Sequence, residues 1–563
     1  MATISTAKIL VLSDFNAQNL LGYLNGEPNE LEIIAESAPF GQVAQILCDF
    51  SHPCWQNKYD YLIVWTIPQK LAGFNNFIDF TDASIETLFA SIDSFSAMLK
   101  KAAEKVKALF LPSWVISSYR RGLGMIELKN ELGVAQVLMR ANLRLIENLK
   151  DVSNIFILNT QRWIELAGAR NAHNPKLWYM GKIGFGSEVF KEAASDIRSA
   201  INGICGNARK LIVVDLDDTL WGGIVGEVGM DKLNLGGHDP AGESFSDFQK
   251  ALKALKNRGI LLAIASKNDE KTAMNAIAKH PEMVLKPEDF SAWRINWLDK
   301  ASNISSLVEE MNLGLHSVIF IDDNPVERSR VREALPEVYV PEWPEDKMLY
   351  TKSLLELKCF DTPAITEEDQ KRTELYAAER KRSASCAENQ SVSDWLLSLQ
   401  TKITAESLNN NNLARATQLL NKTNQMNLTT RRMPEKDFME WAEKPEHMVW
   451  TFRLSDKFGD AGLTGLVSLE ISGKSALILD FILSCRIIGR KVEQTILHFI
   501  TKQACQLNLE ELQARFIPTE KNSVCQAFWK NESSFNIVAD NLFSFHLNKG
   551  TIPRPQSVEL IIG

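Results

Sequence analysis

Short apolar runs alternate with longer segments of helical period through the first two hundred residues. Residues 8–13, 31–35, 61–65 and 154–158 are apolar, end in polar or turn residues, and suit strands buried on both faces of a parallel sheet. Residues 85–109 and 132–149 carry the helical pattern between them, and the alternation predicts an open, doubly wound α/β sheet. A second α/β unit starts at residues 210–215, with further strands expected at 260–265, more weakly at 283–285, and at 317–321. The charge-dense stretch 366–385 reads as a solvated helix joining domains. Beyond it the texture becomes α+β. The Asn run 409–412 opens a helical segment, and strands are expected at 449–452 and 477–483. A turn over 484–490 then leads into an amphipathic helix over 491–507. The expected division is an α/β domain at 1–205, a second at 206–360, a helical linker at 361–391 and an α+β domain at 392–563.

A length of 563 residues allows three or four domains at about 150 residues each. The hydrophobic share of 45% and charged share of 23% are those of a globular chain. A net charge of −8 argues against nucleic acid or an anionic membrane as the main partner. No apolar run approaches the ~20 residues of a spanning helix, and the first residues lead into a strand pattern, not a signal-peptide core. The 8 cysteines lack CxxC or zinc-ligand spacing, so a reducing, cytoplasmic setting is expected.

The strongest chemical signal is Asp215-Leu216-Asp217-Asp218-Thr219, which directly follows the apolar run 211–214. The carboxyl end of a parallel strand is where ligands sit, so these acids face a site and not the core. Carboxylates suit a hard cation such as Mg²⁺. Beside such a cation one Asp can attack phosphorus, while the second protonates the leaving group and later activates water. Three later features belong with this motif. Ser266 ends the second strand, Lys300 offers a fixed positive charge for a phosphoryl group, and Asp322-Asp323-Asn324 follows the strand at 317–321.

This ordered set resembles the motifs of the haloacid dehalogenase superfamily of aspartate-nucleophile phosphotransferases. The resemblance makes Asp215 the nucleophile and a metal ligand, and Asp217 the general acid/base and a further ligand. Thr219 would fix the Asp217 loop, Ser266 and Lys300 would hold phosphate, and Asp322 and Asp323 would bind Mg²⁺. Between Thr219 and Ser266 there is room for a flap and one helix but no inserted cap, which favours a bulky or carrier-borne substrate.

The wording around these motifs is more specific still. Trp221-Gly222-Gly223, Gly226-Glu227, Ser266-Lys267-Asn268-Asp269 and Asp322-Asp323-Asn324-Pro325-Val326-Glu327-Arg328 are similar to the FkbH-like family. So are Asn421-Lys422-Thr423-Asn424-Gln425, Lys457-Phe458-Gly459-Asp460 and Ser484-Cys485-Arg486-Ile487-Ile488-Gly489-Arg490. The resemblance implies an SGNH- or flavodoxin-like N-terminal domain, a dehalogenase-type central domain and a GNAT-like C-terminal domain. It implies dephosphorylation of an acyl donor such as 1,3-bisphosphoglycerate. The glyceryl group would pass to an acyl carrier protein, in natural-product or surface-polysaccharide assembly. The alternatives are a GNAT-type N- or O-acyltransferase acting on glycans and a plain phosphatase with accessory domains. No Cys lies between Cys205 and Cys359, and Ala265 stands where some relatives carry one, so a thiol relay inside the central domain is excluded. Another domain's thiol, direct attack by the carrier's thiol, or different chemistry remain.

In the C-terminal domain, the resemblance gives Arg486, Gly489 and Arg490 to coenzyme A or a phosphopantetheine thioester, at a helix start suited to phosphate. Lys491 stands where a small residue is usual, and Cys485 is either a packed residue or a thiol that holds the acyl group. Asp456 and Asp460 either orient a reacting group or shape the Lys-Phe-Gly turn. In the N-terminal domain, Ser13 and His173 are placed as a hydrolase pair would be, although a scaffold or docking domain is the plainer reading.

Overall fold

The computed structural model describes residues 5–26, 31–117, 119–365, 371–373, 375, 376, 382, 391–484 and 487–563. The chain forms two compact units, Met1–Ile201 and Asn202–Gly563.

The first unit is built on five parallel strands: β1 (Ser5–Ser13), β2 (Leu31–Ser37), β3 (Tyr61–Trp65), β4 (Ala108–Pro112) and β5 (Ile155–Leu158), in the order β2-β1-β3-β4-β5. That is the flavodoxin-like order, with its crevice where the carboxyl ends of β1 and β3 part. The helix expected over 85–109 ends at Ala103, and residues 108–112 are β4. The helix buries a single stripe, Leu88, Ile92, Phe95 and Leu99, whereas every residue of β4 is buried. An apolar strand directly behind an amphipathic helix reads as its continuation, which is why the pattern alone merges them.

In the second unit, β6 (Leu211–Val214), β7 (Leu261–Ser266), β8 (Ala292–Ile295) and β9 (Val318–Ile321) form a parallel sheet in the order β8-β7-β6-β9. The strand expected at 283–285 is absent, and the third strand of this domain is β8. Met283 and Leu285 are apolar because they pack in the core. The amides of Val284 and Leu285 donate to the buried Gln249 Oε1, at 3.0 and 3.1 Å, instead of to a neighbouring strand. β8 is an edge strand with half-buried Trp293 and Arg294, so its apolar signal is weak. Between Thr219 and Ser266 lie a short flap, the helix Pro240–Asn257 and β7, with no inserted domain.

The remaining strands are β10 (Thr401–Ser407), β11 (Met426–Asn427), β12 (His447–Asp456), β13 (Gly459–Ser472), β14 (Ser475–Leu483), β15 (Glu511–Arg515), β16 (Asn536–Ala539), β17 (Leu542–His546) and β18 (Val558–Ile562). They form one mixed sheet in the order β16-β17-β15-β14-β13-β12-β10-β18, with β11 paired to β14. Helix Asn410–Lys422 packs on one face through Leu413, Ala416 and Leu420. Helix Val492–Gln506 packs on the other through Ile496, Phe499 and Ile500. The parallel pair β14 and β15 stays in register only to Ile478 and Ala514. Beyond that point β11 takes up the vacated edge of β14, pairing Met426 with Leu483 and Asn427 with Ile482. The linker helix expected at 366–385 falls mostly outside the described residues. Among the described residues, no helix is long and apolar enough to cross a membrane.

Candidate active site

All four parallel strands of the central sheet deliver their carboxyl ends to one edge. Asp215 leaves the end of β6, its amide bonded to the Ile321 carbonyl at 3.0 Å, so the ends of β6 and β9 are locked side by side. Lys300 opens the helix Lys300–Glu310 that follows β8 and is buried. Its Nζ sits 2.9 Å from Asp215 Oδ1 and 2.6 Å from Asp322 Oδ2. Burial works against the charged ammonium, but the two carboxylates prevail and hold its pKa above the ordinary lysine value. Asp322 is wholly buried, and its pKa is pushed up to about 7 by desolvation and by the Asp215 charge, against the pull of Lys300. The Asn324 amide donates to Asp322 Oδ1 at 2.9 Å, and Arg328 Nη1 donates to the carbonyls of Asp322 and Asp323, which fixes this loop.

Oxygen atoms of Asp215, Asp322 and Asp323 lie within 4.8 Å of one another. Three clustered carboxylates, two of them on the buried Lys300 ammonium, form a donor set that fits a hard divalent cation. The carboxylate of Asp217 is not in that group. Its Oδ1 accepts from Trp221 Nε1 at 2.9 Å and from the Val225 amide at 3.0 Å, and its Oδ2 accepts from Asn268 Nδ2 at 2.8 Å. Desolvation raises its pKa, these hydrogen bonds oppose the rise, and Asp215 and Asp218 add to it. A carboxyl outside that cluster and biased toward its protonated form suits proton transfer. Thr219 is buried, and its Oγ1 accepts from the Asp323 amide at 3.1 Å, so it ties the β6 loop to the β9 loop. Ser266 is buried at the end of β7, where its carbonyl accepts from the Asn296 amide at 3.1 Å.

Asn268 and Lys347 also shape this site. Asn268 lies in the Ser266-Lys267-Asn268-Asp269 motif, so the sequence carries a signal for it. Lys347, whose Nζ lies 3.3 Å from Asp323 Oδ2 and 2.8 Å from the Asp218 carbonyl, stands in no motif and is brought in by tertiary structure alone.

The C-terminal loop is arranged differently. Cys485 and Arg486 lie outside the described residues. Arg490 is buried against Asp456, which also holds Arg382, the Arg490 Nη1 lying 3.3 Å from Asp456 Oδ2. The Gly489 amide donates to Glu493 Oε1 at 2.7 Å, and Glu493 is buried, with its pKa raised by desolvation. A side-chain carboxyl thus occupies an amide at this helix start. Lys491 has φ 61° and lies 3.6 Å from Glu532. Asp460 accepts from the Gly462 amide at 2.8 Å and so shapes the turn. The edge that β14 presents where it parts from β15 is filled by β11, so an extended arm cannot add there without displacing it.

In the first unit, Ser13 ends β1 and its Oγ accepts from the Phe15 amide at 3.2 Å. His173 packs on Phe185, its Nδ1 has no hydrogen-bond partner among the described residues, and burial lowers its pKa. No hydrogen bond joins Ser13 to His173 among the described residues.

The solved N-terminal part of the protein BF1531 from Bacteroides fragilis, which contains a phosphatase domain complexed with Mg, is similar to this chain. The TM-score is 0.59 and the identity 28%, over 64% of this chain and 96% of that chain. A spermidine/spermine N-acetyltransferase from Vibrio cholerae aligns at 13% identity and TM-score 0.20, over 28% of this chain and 99% of its own. A GNAT-family acetyltransferase from Staphylococcus aureus aligns at 11% and TM-score 0.20, over 26% of this chain and 99% of its own. No family model matches the chain, and no curated protein matches it. The chain is an α/β multidomain enzyme with a haloacid-dehalogenase-like phosphatase domain at its centre, followed by an α+β domain.

Proposed function

We propose that the chain is a Mg²⁺-dependent, FkbH-like phosphatase/acyltransferase that removes phosphate from a phosphorylated acyl donor and loads the acyl group onto an acyl carrier protein. The observation that carries this reading is the buried Lys300 held between Asp215 and Asp322, with Asp323 alongside, at the carboxyl edge of the central sheet. The Mg²⁺ bound by the similar Bacteroides fragilis structure supports the choice of cation. Asp215, Asp322 and Asp323 would hold it, and its charge would offset that of the phosphoryl oxygens.

In the proposed reaction a carboxylate oxygen of Asp215 attacks phosphorus, the phosphate-ester bond breaks, and the leaving oxygen takes a proton from Asp217. Asp217, now a carboxylate, takes a proton from water as that water attacks the phosphoaspartate and frees phosphate. Trp221, Val225 and Asn268 hold the Asp217 carboxyl at its post throughout. At the donor's acyl phosphate a thiol, giving up its proton to the departing phosphate, attacks the carbonyl carbon, so that the C–S bond of the thioester forms, the C–O bond to phosphate breaks and inorganic phosphate leaves. With 1,3-bisphosphoglycerate as donor, the transferred group is glyceryl.

A carrier-borne acceptor is supported by the uncapped site and its surroundings. Ile224, Val228, Trp297, Leu298 and Val326 follow the carboxyl ends of β6, β8 and β9 and are exposed. Scattered exposed apolar residues need no explanation, but apolar residues grouped at the strand ends that carry a site suit a docking protein. The domain division at 205/206, 360/361 and 391/392 is part of the same proposal, with a GNAT-like domain at the C-terminus engaging the thioester.

The test is intact-mass analysis of the chain with Mg²⁺, 1,3-bisphosphoglycerate and candidate holo-carrier proteins. A glyceryl mass gain on the carrier that Asp215→Asn abolishes is the expected result. Phosphate release with no adduct on any carrier reduces the function to a phosphatase. Turnover that survives Asp215→Asn removes the nucleophile assignment.

A further inference from the structure

Helix Val134–Leu149 of the first unit is apolar on two faces. Val137, Ala141 and Leu145 are buried in the core beside the sheet. Met139, Leu143 and Ile146 form a second stripe at helical spacing and keep 57%, 64% and 47% of their surface exposed. A surface helix ordinarily turns charged and polar groups outward, so the packing of this unit does not account for the second stripe.

The neighbouring strand β5 has the same character. Among the described residues, no element pairs with its outer edge. Its four residues Ile155–Leu158 are uncharged, and the last three are half-buried. At the opposite edge of the sheet, β2 carries exposed Glu32 and Glu36, the usual guard against edge pairing. β5 has only its shortness. Between strand and helix runs an open groove of about 930 Å³, with Leu138, Asn142 and Ile146 on the helix side and Ile155 and Ile157 on the strand side. The segment ahead of the helix is fixed beside its first turns. Glu127 Oε1 accepts from the Ala135 amide at 2.7 Å, and Asn130 Oδ1 accepts from Gln136 Nε2 at 3.0 Å. That segment brings the exposed Met125 and Leu128 to the same end of the helix.

We propose that this face binds a second copy of the same chain about a two-fold axis, β5 pairing antiparallel with its counterpart and the two Val134–Leu149 helices lying side by side. A two-fold interface must be complementary to itself. Met139 and Ile146 stand equally far from the midpoint between Asn142 and Leu143, so an antiparallel copy sets Met139 of each chain against Ile146 of the other, with both Leu143 side chains close to the axis. The charges nearest the stripe are paired within the chain, Arg140 with Glu131 at 2.7 Å and Lys150 with Glu147 at 2.5 Å. A second copy therefore meets a neutral rim, whereas a strongly acidic or basic partner would find no opposing field. A stable interface takes about 800 Å² from each partner, and the exposed side chains with the groove offer an area of that order.

The experiment measures the mass of the full chain by light scattering and sedimentation velocity at about 1–50 µM. The expected mass is twice the 63.3 kDa of one chain. Leu143→Glu and Leu143→Lys are each expected to give folded monomers, with the dimer Kd raised at least about a hundredfold. Mixing these two variants is expected to restore a dimer, because residue 143 of each copy lies near the axis. Tyr179→Glu, which changes an exposed aromatic residue on another helix, is expected to leave the dimer intact. Should the Leu143 variants fail to fold, Met139→Lys decides. A chain that stays monomeric at the highest concentration overturns the proposal and leaves the groove to a different protein or a small apolar ligand. A dimer that survives in folded Leu143→Glu, or a mixture of the two variants that stays monomeric, overturns it as well. Mass is read without turnover, so none of these outcomes bears on the phosphatase reading.

Discussion

The carboxyl edge of the central sheet and the start of helix Val492–Gln506 were both expected to bind phosphate groups, yet their side chains are deployed in opposite ways. At the sheet edge, Asp215, Lys300, Asp322 and Asp323 converge on one point. At the helix start, Arg490 turns inward to Asp456 and Glu493 occupies the Gly489 amide. The difference is one of backbone determination. Where a buried parallel strand ends, the next side chain has little choice but to enter the crevice. A loop before a helix leaves direction to whatever packs beside it.

Lys300→Met is the strongest way to break this contrast. It leaves Asp215 and Asp322 without their shared cation, and loss of a buried charge partner costs about 3–5 kcal/mol. Phosphate release should fall about 10²–10³-fold, and the loss in Tm should be larger in EDTA than in Mg²⁺. An equal loss in both would mean that the carboxylates do not share a cation.

Arg490→Met sharpens the other side. Asp456 keeps Arg382, with Arg382 Nη2 2.9 Å from Asp456 Oδ1, so the expected loss is about 1–3 kcal/mol by urea unfolding. Phosphate release should not change. A drop in thioester binding with stability intact would return Arg490 to the ligand. The smallest effect is expected at His316, whose folded pKa of about 4 lies below its ordinary 6.5. The unfolded chain binds more protons between those values, so stability falls as pH is lowered through that window. His316→Gln should flatten the pH dependence of Tm there by the share of one group.

The same distinction explains what could be read from the sequence. β6, β7 and β9 were recognisable because burial on both faces requires continuous apolar runs, and their following residues named most of the aspartate cluster. β4 was hidden by the helix before it, and β8 by its half-exposed edge position. Lys347 reaches Asp323 from 24 residues away with no local pattern around it, and Asp456 reaches Arg490 across 34. Such partners are set by packing, and no periodicity announces them. Acids two apart on an extended segment can point the same way, which makes Asp217 a candidate ligand by sequence. In the structure Trp221, Val225 and Asn268 turn its carboxyl elsewhere.

The missing cap has a kinetic meaning. With no domain inserted between Thr219 and Ser266, a bound acyl phosphate in the proposed reaction would have no inserted cap to shield it from bulk water. Transfer then competes with hydrolysis, and the outcome depends on whether the acceptor is already seated when the donor arrives. The acceptor would itself shield the donor, so the order of arrival, rather than the motion of a lid, would divide turnover between product and waste.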